Sequence, residues 1–148
     1  MHIREATREY PLISSLRNQC LEGVLCPGFP QDIEAADGRL AERFARYRYV
    51  AEVEGEAVGL AEIFEPWYFP EPGFWEIYIA VPERFRRRGH GAALWAHARN
   101  ELARRGATLL FSGAVEGTAG DAFCFIEREE NSFRLRRENL VAANHWQS

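Results

Sequence analysis

Two hydrophobic rhythms alternate along this chain. Ile77-Tyr78-Ile79-Ala80-Val81 is a continuous apolar run closed by Pro82, the pattern of a buried strand. Ala92, Leu94, Trp95, Ala98 and Leu102 then recur at helical spacing, which predicts a helix from about Gly91 to Arg105 with Gly106 as its stop. Upstream, His2 to Ala6 suits a short strand. Thr7 is placed to cap a helix that turns Leu12, Ile13, Leu16 and Cys20 inward. Pro27-Gly28-Phe29-Pro30 breaks the chain, and a second helix starts near Asp32 with Ile33, Ala36, Leu40 and Phe44 on one side. Tyr49 to Val53 and Ala57 to Phe64 flank Glu54-Gly55-Glu56 as a hairpin, and Phe74 to Val81 forms the strand that ends at Pro82. Thr108 to Phe111 is a strand, Asp121 to Glu130 a helix and Phe133 to Val141 a last strand. The order β-α-α-β-β-β-α-β-α-β mixes a hairpin with crossovers. It predicts an α/β (α+β) fold, a mixed central sheet flanked by helices, in a single domain over residues 1–148.

Composition narrows the function classes. A chain of 148 residues, 47% hydrophobic and 27% charged, suits one substantial core. The net charge of -4 gives no global field for nucleic acid, so no nucleic-acid partner is expected. All 18 basic residues are arginine, which fits either an anion-binding surface or a codon bias, so only their location is informative. Cys20, Cys26 and Cys124 form no C-x-x-C pair and have no histidine at ligand spacing; no metal is expected. The sequence allows a Cys20–Cys26 disulfide, but the odd count and the absence of an export signal favour reduced thiols and a cytoplasmic location. No segment approaches the roughly 20 apolar residues of a membrane span, and no membrane partner is expected.

The candidate chemistry lies between the apolar strand and the main helix. Arg86-Arg87-Arg88-Gly89-His90-Gly91 is a basic, glycine-containing turn at a helix start. Such a turn can aim free backbone N–H groups at one point, with the helix dipole adding positive potential. Glycines admit a bulky anion and arginines supply forked donors, so a phosphate or pyrophosphate is the expected guest. A dinucleotide fingerprint fails because Leu94 stands where its third glycine belongs, and a Walker A loop fails because the chain has no lysine.

What fits is R-x-x-G-x-G followed by an apolar residue: Arg86, Gly89, Gly91, Leu94. This resembles the acyl-CoA pyrophosphate loop of the GNAT superfamily of N-acyltransferases. The element order resembles that family over almost the whole chain. The resemblance implies a sheet splayed beside its fourth strand, with acetyl-CoA as acyl donor and its pantetheine arm in the gap. Backbone groups of Ile79, Ala80 and Val81 would pair with that arm like an added strand. The N–H groups of Arg87, Arg88, Gly89, His90, Gly91 and Ala92 would receive the pyrophosphate, with Arg86 packed beneath or beside them. Pro82 to Arg86 is one residue longer than is usual in the family, a difference that a bulge would absorb. The family's asparagine and tyrosine of the last helix are replaced by Ala119 and Ile126, and Phe125-Ile126-Glu127-Arg128 resembles the tandem-domain subgroup related to mycothiol synthase.

Acyl transfer to an amine needs a base, an oxyanion donor and a route for the leaving thiolate. By resemblance, Glu76 is the base, although its place also suits an exposed strand carboxylate with no catalytic duty; Glu62 is a weaker second candidate, and Ile79 or Ala80 supplies the oxyanion N–H. Tyr78 and Ser112 are candidate donors to the thiolate; each also suits packing or turn roles. Cys124 reads as an inert core thiol rather than a nucleophile. Phe29, Trp67, Tyr68, Phe69 and Trp75 fall in or beside loops that border the acceptor cleft in this family. They form either an aromatic wall, for an acceptor with an apolar or cationic part, or a core or dimer contact. The acceptor is a small-molecule or peptide amine. The alternative is a CoA-binding sensor or partner domain without catalysis, supported by the missing tyrosine and asparagine. With one clear strand after the last helix, an open sheet edge would remain, and a homodimer is expected to cover it.

Overall fold

Alternating side chains give the central sheet two unlike faces, and each face recruits different helices. The computed structural model describes residues 1–20 and 28–112. Strands β1 (His2–Glu5), β2 (Arg46–Val53), β3 (Glu56–Phe64), β4 (Phe74–Ala80) and β5 (Leu109–Phe111) lie in the order β1-β2-β3-β4-β5. The first four pair antiparallel, while β5 runs parallel to β4, so the sheet is mixed as the element order predicts. Helix α3 (His90–Arg104) crosses over between β4 and β5. Its Trp95, Ala98 and Leu102 pack on Tyr49, Ile63, Trp75 and Ile77. The opposite face carries α1 (Tyr10–Asn18) and α2 (Pro30–Leu40), with Ile13, Leu16 and Ile33 against Val50, Leu60 and Ala80.

Several expectations shift for local reasons. Thr7 does not cap α1. Its Oγ1 accepts the Arg48 N–H at 3.1 Å, and the helix begins three residues later, where Pro11 presets φ in the first turn. Strand β2 starts at Arg46 rather than Tyr49, because Arg46 and Arg48 point into the α1/α2 face, where acidic partners await them. Helix α2 stops at Leu40, so Phe44 does not lie on it; of its side chains only Ile33 is fully buried. The predicted Asp121–Glu130 helix and Phe133–Val141 strand lie outside the described residues.

A glycine ties β4 to β5. Gly73 has φ +85°, and its carbonyl accepts the N–H groups of Thr108 at 2.9 Å and Leu109 at 3.1 Å. This contact sets the register that brings Phe111 opposite Glu76.

Candidate active site

The turn after β4 is built to hold its backbone donors open. Glu83–Phe85 forms a 3₁₀ turn that buries Phe85 against Val58, Ala61 and Leu94. The four-residue step from Pro82 to Arg86 runs through this turn. The Arg86 Nε then donates to the Val81 carbonyl at 2.8 Å, clamping the turn to the end of β4. Arg87 (φ +61°) and Gly89 (φ +85°) are both left-handed, a geometry that turns neighbouring N–H groups into an anion-binding concavity. Helix α3 follows at once from His90, and its first backbone bond runs from the Ala93 N–H to the Gly89 carbonyl. The N–H groups of His90, Gly91 and Ala92 are therefore unspent by the helix. A Cβ built at Gly89 meets nothing within 4 Å, so the space in front of the turn is open. Arg87 and Arg88 are exposed there, while the His90 ring turns away, with Nδ1 3.3 Å from the Met1 sulfur. The residues present fit a pyrophosphate.

Among the described residues, β4 is paired on its β5 side only along its first part. Strand β5 pairs with β4 only from Phe74 to Glu76, whereas β3 pairs with it from Glu76 to Ala80. From Ile77 onward β4 has no strand on its β5 side among the described residues. Successive residues of a strand send their backbone groups to opposite sides. Ile79 and Ala80 therefore cannot both face the gap, and three consecutive residues cannot all pair there. One parity can: either Ile79 and Val81, or Ala80 alone. The Val81 carbonyl is in addition engaged by Arg86.

Beside the last described pair of β4 and β5, a pocket of about 720 Å³ opens on the α1/α2 face. Glu76 and Tyr78, two residues apart on β4, share this face, and both line the pocket with Arg46, Phe64, Trp67, Tyr68 and Phe111. Ala36, Arg39 and Leu40 of α2 complete the wall. Glu76 is only 4% exposed. Burial pushes its carboxyl up to about 6, against the opposing pull of the Tyr78 hydroxyl, which donates to it, and of Arg46. A carboxyl at that value is largely ionised at neutral pH yet remains a usable proton acceptor. Ser112 follows Phe111, next to the last described pair of β4 and β5.

The aromatic residues divide. Trp67 and Tyr68 border the pocket, but Trp75 points to the other face and packs with Trp95 and Leu102 in the core. Phe69 stacks on Phe74 at 4.6 Å, and Phe29 is exposed just ahead of α2.

Glu62 has a different fate on the adjacent strand. It is fully buried and accepts from Arg17 Nε at 3.0 Å, from Arg17 Nη2 and from Arg48 Nε at 2.5 Å. These arginines hold its carboxyl below the usual carboxylate range, despite burial. Arg48, itself buried, also grips Asp37 of α2 through two bonds of 2.6 and 3.0 Å and donates to the Thr7 carbonyl at 2.9 Å. Tyr10 donates to Asp37 at 3.0 Å. This network fastens α1 and α2 to the sheet. It makes Glu62 a structural anion and a poor base.

Sequence comparison decides the family. Residues 11–122 match the profile of the acetyltransferase (GNAT) family. The chain belongs to that family. The GNAT fold is also what solved structures show. A ribosomal-protein-alanine N-acetyltransferase from Brucella melitensis aligns with a TM-score of 0.69 at 24% identity, covering 88% of this chain and 83% of that one. An N-acetyltransferase from Staphylococcus aureus gives 0.66 at 18% identity, covering 84% and 79%. An aminoglycoside acetyltransferase from an uncultured soil metagenomic sample gives 0.62 at 23% identity, covering 88% and 90%. No curated protein sequence matches the chain. At these identities the likeness is one of fold.

Within this GNAT domain, no helix of the described residues is long and apolar enough to cross a membrane, and they contain no cluster of three metal-ligating side chains. Cys20 is buried between Leu16 and Ile33; Cys26 and Cys124 lie outside the described residues. So do Ala119 and Ile126, on which the non-catalytic alternative rests, and Phe125 to Arg128, which carry the likeness to mycothiol-synthase relatives. The pocket residues Arg39 and Arg46 have no counterpart among the expected site residues. One signal pointed to Arg46: charges alternate with tyrosines in Arg46-Tyr47-Arg48-Tyr49, ahead of an apolar run on the same strand.

Proposed function

We propose that this chain transfers an acyl group, most simply acetyl from acetyl-CoA, to a primary amine by direct attack in a ternary complex. The observation that carries the proposal is Glu76: a desolvated carboxyl with its pKa raised to about 6, lining the pocket just before the stretch of β4 that no described strand pairs on its β5 side. In this reading the turn from Arg87 to Ala92 holds the pyrophosphate, with Arg86 bracing it from the end of β4. The same stretch of β4 orients the pantetheine arm, and the gap-facing N–H of Ile79 or Ala80 stabilises the developing oxyanion.

Glu76 accepts a proton from the acceptor ammonium, directly or through one water. The neutral nitrogen attacks the thioester carbonyl carbon to give a tetrahedral intermediate; as this collapses the C–S bond breaks, the thiolate leaves, and the nitrogen's second proton passes to water. In this reading the Tyr78 hydroxyl, which donates to Glu76, relays the proton taken up by Glu76 to the departing sulfur, so that Glu76 and Tyr78 act as a coupled pair. The acid limb of kcat/KM should then fall near pH 6, because activity needs Glu76 ionised.

Glu76→Gln tests this. Turnover should drop by about 10²–10⁴, while acetyl-CoA affinity measured by calorimetry stays within threefold and the acid limb near pH 6 disappears. Full turnover in Glu76→Gln at neutral pH would remove the base assignment. Acetyl-CoA binding without CoA release for any amine would point to the non-catalytic binding domain instead.

A further inference from the structure

The arginines around the pocket do not balance, and the imbalance carries information about the acceptor. Arg17, Arg46 and Arg48 converge on two carboxylates, Asp37 and Glu62. Arg17 and Arg48 take the short bonds. Arg46 is left at 3.7 Å from both Asp37 Oδ1 and Glu62 Oε1, outside hydrogen-bond distance. Its guanidinium lies 4.1 Å over the Phe64 ring and a quarter of the side chain is exposed, at the pocket wall. Burial already lowers its proton affinity, so the charge is held there against a desolvation cost. Arg39 adds a second guanidinium at the mouth, with no ion pair to any described residue. Glu76, the pocket's one lining carboxylate, is the group assigned to the amine.

We infer that the acceptor is an amine that also carries a carboxylate, in the class of free amino acids with apolar or aromatic side chains. This deepens the acyltransfer reading and rests on it. Glu76 takes the amino end and Arg46 the carboxylate, as a forked pair that its unspent N–H groups suit. Arg39 adds attraction at the entrance, while Trp67 and Tyr68 cover the apolar side chain. A polycation meets two guanidiniums in the same pocket and is disfavoured. The aromatic wall thus serves an apolar acceptor group and not a cationic one.

The experiment uses equilibrium binding and turnover together. N-acetylphenylalanine and its carboxamide are titrated into the protein by calorimetry. CoA release from acetyl-CoA is followed with phenylalanine, leucine, their amides, spermidine and kanamycin. A guanidinium–carboxylate bond is worth about 1.5–3 kcal/mol, which is roughly 10- to 150-fold in affinity. The acid should therefore bind at least tenfold tighter than its amide, and free amino acids should exceed their amides by a similar ratio in kcat/KM. Arg46→Gln should compress both ratios to within about threefold of unity, and Arg39→Ala should compress them less. Arg39 is exposed, so that variant keeps the test open if Arg46→Gln does not fold. Equal binding of acid and amide, or faster CoA release with amides or polycations, overturns the inference while leaving acyltransfer intact. Selective binding of the acid without CoA release for any amine upholds the carboxylate site and overturns catalysis.

Discussion

Replacing Glu62 by glutamine keeps the side chain's shape and removes its charge, and the structure predicts a large loss of stability. Glu62 is fully buried and receives three short bonds from Arg17 and Arg48, with Arg46 at 3.7 Å. In Glu62→Gln, Arg17 loses its carboxylate partner, Arg46 and Arg48 keep only Asp37, and Arg48, 1% exposed, has no solvent to replace the lost carboxylate. Breaking one member of a buried ion pair costs about 3–5 kcal/mol. The total for a domain of this size is about 7–22 kcal/mol, so a substantial share is at stake. Urea unfolding followed by tryptophan fluorescence at pH 7 reads the difference. Its pH dependence has a definite sign. The folded pKa of Glu62 is depressed, so its contribution is fully present above the ordinary carboxylate pKa and is lost as pH falls through the folded value. Parent and variant should therefore converge in acid. A Glu62→Gln protein within 0.5 kcal/mol of the parent at pH 7, yet slowed a hundredfold in turnover, would refute this reasoning and make Glu62 the base.

Other outcomes follow from the same geometry. Glu76 has the opposite sign: its raised pKa favours folding below 4.5, and that advantage is lost as pH rises through about 6. Between pH 4 and pH 8 the stability difference should move by about 2 kcal/mol in favour of Glu76→Gln, read by the same urea titrations; no movement would mean that Glu76 is not desolvated. Gly89→Glu should abolish acetyl-CoA binding in calorimetry, because an anionic side chain would fill the open space before the turn, while stability falls by only about 1–2 kcal/mol for a left-handed residue. Gly73→Ala should behave inversely in thermal unfolding: its Cβ would lie 2.4 Å from the Thr108 hydroxyl oxygen, so strain adds to the left-handed cost and the loss should exceed that at Gly89.

The strands and the main helix were legible because each carries a strong period: alternation or a closed apolar run in β3 and β4, and Leu94, Trp95, Ala98 and Leu102 in α3. The arginine turn was legible because glycines and arginines stand together between two such elements. Arg48 facing Glu62 was not. Counting back from the Glu54-Gly55 turn, Val53 pairs with Glu56 and Glu52 with Ala57, a register that would set Arg48 against Ala61. The register shifts by one between Ala51 and Glu52, leaving Val58 unpaired and bringing Glu62 opposite Arg48. Gly59 beside the shift was its trace in the sequence, since a glycine inside a strand often marks a bulge. It also admits α3: a Cβ there would come within 2.8 Å of Leu94 Cδ1. Arg39 stayed hidden because an exposed arginine in the last turn of a helix looks like any solvated cation.

Glu62 and Glu76 lie on adjacent strands, face the same side and are both buried, yet their acidities diverge. Burial raises the pKa of each, so burial cannot be what separates them. The difference is the placement of the arginines. Glu62 has Arg17 and Arg48 in direct contact, whereas Glu76 feels only Arg46 at a distance and a neutral tyrosine. A single bulge produces this division, since it carries Arg48 to Glu62. Moving either short-range arginine toward Glu76 would hold that carboxyl too acidic to serve as a base near pH 7. The network that clamps α1 and α2 to the sheet therefore also keeps its short-range arginines away from Glu76, and only Arg46, held at 3.7 Å from Asp37 and Glu62, reaches the pocket lining.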